Sequence, residues 1–279
     1  MKIVESSNDT CLTYLPEIWN CCTRTWSVIY SVVYIIFFMR YLILLVSLIV
    51  IAFSTWVSAP FFDFPLGGMS QKDISDMYHS AITPASFTFS IWSLIYLSWI
   101  VVGLVVAFSK RKKGTWISEK AIIPLSLAIA ITALWLVPWS YNWIGVSLVI
   151  MLILLGTLKY TFHLTRNDSW LVRSSVELFI GWINIATVAN ITVWLLYSGF
   201  TGWNIPEVYW AIGVLGLACL LTLYYQYRYH AYFISLVFLW AMIGEWFGQT
   251  DGTQRIAVIL YSILIALAMV ITYFSRKKQ

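Results

Sequence analysis

Phe89, Trp92, Tyr96 and Trp99 recur at helical spacing inside 87–108, a run without a single charge. They make one aromatic face edged by Ser90 and Ser93. A helix surrounded only by acyl chains needs no indole N–H or phenol O–H, so this stripe reads as turned inward. The chemistry it offers is recognition: rings stack on a flat apolar ligand while nearby hydroxyls and amides set its orientation. Asn184 and Asn190 lie in a second apolar run, 174–197. A carboxamide in hydrocarbon is costly unless it finds partners, so both face other helices or a polar cavity. Asn190 shares a face with Thr187 and Trp194, which fits interhelical glue or a ligand contact. Glu177 and Glu245 sit near the ends of their runs, where a carboxylate caps, snorkels or relays protons.

Residues for bond-making chemistry are missing from the pattern. His79, His163 and His230 fall in or beside three different loops, and no HExxH, GxSxG, P-loop or GxGxxG motif occurs. No carboxylate pair sits in the middle of an apolar run. Cys11, Cys21, Cys22 and Cys219 lack metal-ligand spacing, although Cys21 and Cys22 lie where S-palmitoylation takes place. The expectation is a protein that is not an enzyme and holds no metal.

The elements that position these residues follow from composition. Hydrophobic residues make up 61% of the 279 and charged ones 10%, outside the range of a soluble domain. Backbone groups in lipid must bond within their own segment, so long charge-free runs imply helices. The fold class expected is all-α, a polytopic transmembrane helix bundle. Eight core crossings are placed at 41–59, 87–108, 121–139, 143–162, 174–197, 208–227, 231–248 and 256–274. Residues 1–40 form a polar segment followed, at 19–39, by an interfacial or extra helix, and 41–279 form the bundle. Residues 60–82 make a polar loop placed to cover the bundle's outer end.

The net charge of +5 is carried in short loops and is no nucleic-acid signal. Of the 17 Lys and Arg, only Lys72 and Arg255 fall in loops assigned to the outside. Every second loop is basic, as the positive-inside rule requires. Eight crossings then leave both termini cytoplasmic, with the bacterial cytoplasmic membrane as the expected address. This topology brings Phe89, Trp92, Tyr96, Thr132, Trp135, Asn190, Trp194 and Trp240 to one level in the outer half. They are the expected lining of a cavity for a small hydrophobic ligand. Trp139, Trp143, Trp203 and Trp210, at helix ends, fit an interfacial belt. A transporter of a hydrophobic or small solute, and a structural or signalling subunit, remain alternatives, and homo-oligomerisation is open.

The segment I-S-D-M-Y-H-S-A-I-T-P-A-S-F-T-F-S-I-W-S-L-I-Y-L (74–97) resembles the signature of the TspO/MBR family in its longer, tryptophan-rich sensory form. A-L-W-L-V-P-W (133–139), S-L-V-I-M-L-I-L-L (147–155), G-W-I-N-I-A-T-V-A-N (181–190) and L-V-F-L-W-A-M-I-G (236–244) continue the resemblance. Pro84, Trp92 and Tyr96 match the short members' P-x-W-x-F-x-x-x-W-x-x-L-Y region. Thr132 stands where an Asn is usual, and Glu245 where an aliphatic residue is. Short members have five helices and bind tetrapyrroles, sterols and synthetic aromatic ligands in a pocket of Trp and Asn. They are linked to sensing, transport or photo-oxidative degradation of porphyrins. The resemblance implies a tetrapyrrole-like ligand here.

Overall fold

The computed structural model describes residues 38–39, 41–57, 69, 71–78, 80–109 and 116–276. The expected helix at 19–39 lies outside them but for its last two residues. So do most of the loop at 58–70 and the basic run at 110–115. Among the described residues the regular elements are all helical, in agreement with the expected class. Helix α1 spans Tyr41–Val57 and the short α2 spans Gln71–Met77. A 3-10 turn, Ser86–Ser90, leads directly into α3, Ile91–Phe108. Then come α4 (Glu119–Ser140), α5 (Ile144–Leu164), α6 (Trp170–Tyr197), α7 (Glu207–Tyr229), α8 (Tyr232–Gly248) and α9 (Gly252–Arg276).

Six of these, counting the turn with α3, are long and apolar enough to cross a bilayer by length and composition. Helices α1 and α8 are shorter, with 17 residues in α8, the lower limit for a crossing. Each of the eight expected crossings coincides with one helix. Pro124 and Pro138 lie inside α4 without interrupting it. Each lies close enough to a helix end that few backbone bonds are lost.

Contacts between loops fix the alternation of direction. At one end Ser169 N–H donates to Trp116 O (3.2 Å), and the Arg166 guanidinium lies 4.7 Å from the centre of the Tyr229 ring. Lys120, Lys159, Arg173 and Arg228 gather at this basic end, as the helix directions require. At the opposite end Tyr78 Oη donates to Asn142 Oδ1 (3.1 Å), and Ala81 N–H donates to Glu207 Oε1 (2.7 Å).

Helix α6 is the centre of the bundle. It packs against α3, α5, α7 and α8, and its residues from Ser174 to Asn184 are buried without a break. A helix buried on every side is one that no longer meets the solvent, here lipid. Its start is set by Ser169, whose hydroxyl accepts from Val172 N–H at 3.4 Å. Helix α9 lies at the periphery and leaves Ile256, Leu260, Ile263 and Leu267 exposed, the pattern of a face meant for acyl chains. A buried amide not singled out by sequence, Gln226, ties three helices together. Its Nε2 donates to Thr272 Oγ1 (2.6 Å) and its Oε1 accepts from Ser235 Oγ (2.7 Å).

Candidate ligand site

The segment Ser80–Ser90 is bound to the outer reach of α8 rather than lying free above the bundle. Ala85 N–H donates to Gly244 O at 3.0 Å, and Trp240 Nε1 donates to Thr88 O at 2.9 Å. Two side-chain amides clamp the chain just before the turn. Gln249 Nε2 donates to Ser80 O (3.2 Å) and Thr83 O (2.8 Å), and Gln254 Nε2 donates to Ala81 O. Close approach depends on two glycines one helical turn apart. A Cβ on Gly244 would fall 2.1 Å from Thr88 Oγ1, and one on Gly248 would fall 2.7 Å from both Ala85 N and Thr83 O. The G-E-W-F-G spacing of 244–248, not singled out from the sequence, is the pattern that could have pointed to this seam.

Beneath this segment lies a cavity of about 80 Å³ between α4, α6, α7 and α8. Of the eight residues expected from sequence to line a ligand cavity, Phe89, Trp135 and Asn190 stand in its wall, together with Trp139, Trp182 and Glu245. Asn190 is 1% exposed and its Oδ1 accepts from Ser147 Oγ at 3.3 Å. Trp135 and Trp139 lie with ring centres 5.2 Å apart. Thr88 Oγ1, Trp135 Nε1 and Trp182 Nε1 are buried donors with no hydrogen-bond partner among the described residues. Buried polar groups are otherwise almost always paired, so a wall with three such donors suits a guest that brings acceptors.

The other expected lining residues stand outside the cavity wall. Trp92 is buried behind it, 5.7 Å from Tyr96 and 6.2 Å from Trp182 between ring centres. Tyr96 continues that stack to Trp99 at 5.3 Å. Thr132 is buried but spends its hydroxyl on Ala128 O of its own helix, at 3.1 Å. Trp240 packs edge-on to Phe87, 5.6 Å between centres, and holds the 3-10 turn. Trp194 is 38% exposed, on the outer face of α6 beside Gly145. Helical spacing from Asn190 put Trp194 on the same face, but four residues on from Asn190 it has turned past the cavity. Trp194→Leu is accordingly expected to leave ligand affinity within about twofold, as for a surface substitution. A fluorescence titration of that variant checks it.

Trp139 was expected in the interfacial belt, whereas it is buried and lines the cavity. Trp143 and Trp203 are exposed at helix ends, as the belt reading has them. Trp182 was missed because it lies in the wholly buried stretch of α6, where periodicity carries no face signal. Glu245, 4% exposed, reaches the cavity and has Gln254 Nε2 3.5 Å from its Oε2. Glu177 does cap: its Oε2 accepts from Phe233 N–H (3.2 Å) at the start of α8. Among the described residues no three His, Cys, Asp or Glu side chains gather as a metal-binding group.

A second, half-open cavity of about 250 Å³ adjoins the first, lined by Leu195, Phe200, Glu207, Trp210 and Val214. Ser80 and Ile82 belong to the walls of both. The clamped segment is therefore a partition between the wider vestibule and the smaller aromatic chamber.

A search of curated proteins and of solved structures found no match to this chain. The family model described as TSPO-like protein matches residues 40–274, which takes in every helix from α1 to α9 except the end of the last. A match over that much of the chain settles the family, and the chain belongs to the TSPO-like proteins.

Proposed function

We propose that this integral membrane protein binds a flat hydrophobic ligand, tetrapyrrole-like or lipid-like, in the aromatic chamber between α4, α6, α7 and α8. The distribution of Lys and Arg supports a reading in which that chamber lies in the outer half of a cytoplasmic membrane, with both termini inside. The observation that carries the reading is the wall: four aromatic rings, the Asn190 carboxamide and three unpaired donors around one space. Rings supply stacking area and the donors supply orientation.

At about 80 Å³ the chamber alone is too small for such a ligand. Small-molecule sites run from roughly 300 Å³ upward. Removing the Ser80–Ile82 partition merges chamber and vestibule into a site of that order. Merging the two cavities in this way requires the clamps from Gln249 and Gln254 to let go. Converting both to Ala is expected to speed protoporphyrin association about tenfold, the worth of one or two hydrogen bonds. Stopped-flow quenching of Trp emission reads this rate, and an unchanged rate would mean that the ligand enters elsewhere.

Binding is favoured over transport by the packing below the chamber. Trp99 and Phe179, both fully buried with ring centres 4.7 Å apart, close the way toward the basic end.

A further inference from the structure

At the basic end, away from the aromatic chamber, a half-open cavity of about 570 Å³ lies between the starts of α6 and α8 and the end of α9. Trp170, Tyr232, Phe233 and Tyr273 supply its rings, and Arg173 and Glu177 supply its charges. Arg173 Nε meets Glu177 Oε1 at 3.1 Å, and the Glu177 side chain is only 2% exposed. Trp170 and Phe233 stand edge to face, 5.9 Å between centres. The Tyr232 hydroxyl is buried and has no hydrogen-bond partner among the described residues.

We infer that this cavity is a binding site for a zwitterionic phospholipid headgroup of the phosphoethanolamine type. The depth fits, because these helix ends lie where the basic residues place the headgroup layer. Trp170, 68% exposed, and Tyr273, half exposed, stand at the mouth as interfacial rings do. The charges fit as well. A guanidinium has five N–H donors, and Arg173 spends its Nε on Glu177, leaving the outer fork for a phosphate. A carboxylate has about four acceptor positions, of which Arg173 and Phe233 N–H take two. The remaining acceptors and the surrounding ring faces suit a primary ammonium. The volume lies within the range of small-molecule sites, roughly 300–1,000 Å³. An Arg–Glu pair within α6 that served only to let Glu177 cap α8 would need neither the rings nor the space.

The test uses the full chain in mild detergent, by native mass spectrometry with phosphatidylethanolamine and phosphatidylglycerol of matched acyl chains. Phosphatidylethanolamine is expected to be retained about tenfold better, the size of one desolvated cation–π contact. Soluble phosphoethanolamine is expected to displace it, and inorganic phosphate is not. Tyr273→Leu is expected to remove the preference, whereas Arg173→Gln is expected to weaken retention of both lipids, which share the phosphate. Tyr273 is half exposed, so that variant keeps the fold if Arg173→Gln does not. Equal retention of the two lipids, displacement by inorganic phosphate, or an unchanged preference in Tyr273→Leu would overturn the assignment.

Discussion

Gly244→Val is expected to destabilise the protein more than any other single substitution on α8. The first added carbon already lies 2.1 Å from Thr88 Oγ1 and 2.8 Å from its Cγ2, and the branches come closer still. Thr88 cannot yield, because its backbone is held by Trp240 Nε1 at 2.9 Å and by the Ala85–Gly244 bond at 3.0 Å. Either the 3-10 turn lifts off α8 or the helix moves outward, and both open the chamber to lipid. Overpacking of this kind costs about 1–3 kcal/mol, with larger values where backbone must shift. Thermal unfolding in detergent should show a clear fall in Tm for Gly244→Val. Gly213→Ala, where an added Cβ meets nothing within 4 Å, should leave it unchanged.

Asn190→Leu separates the two meanings of a buried carboxamide. The shapes are close, and the substitution costs stability by stranding Ser147 Oγ, which donates to Asn190 Oδ1 at 3.3 Å. That loss is about 1 kcal/mol, as measured for interhelical hydrogen bonds in membranes. If the amide also holds a ligand, affinity should fall about tenfold beyond any loss of stability. Protoporphyrin titration of this variant, with its Tm measured alongside, reads both quantities. A lower Tm with unchanged affinity would make Asn190 a structural residue alone.

Much of this arrangement was legible in the residues because lipid leaves the chain few choices. Apolar length and basic loops were enough to place eight helices, since backbone groups must pair within each segment and Lys and Arg stay inside. The shared level of Phe89, Trp135 and Asn190 followed from direction alone. Which way each ring points did not. Trp194 and Trp139 exchanged their expected roles because both lie near helix ends, where belt and core positions have the same composition. Trp182 was hidden in a helix buried on every side, and the glutamine clamps join residues more than 160 apart in sequence. The glycine pair on α8 went unread although its spacing is that of a close-packing seam, and its partner is a turn rather than a second helix.

The most direct test of the ligand-binding claim is a titration of protoporphyrin into the purified full chain, followed by Trp fluorescence. Quenching that saturates at one ligand per chain, weakens in Trp135→Phe and is unaltered in Trp194→Leu is the expected result. Quenching that never saturates, or that depends on Trp194 and not on Trp135, would contradict a ligand held in the chamber.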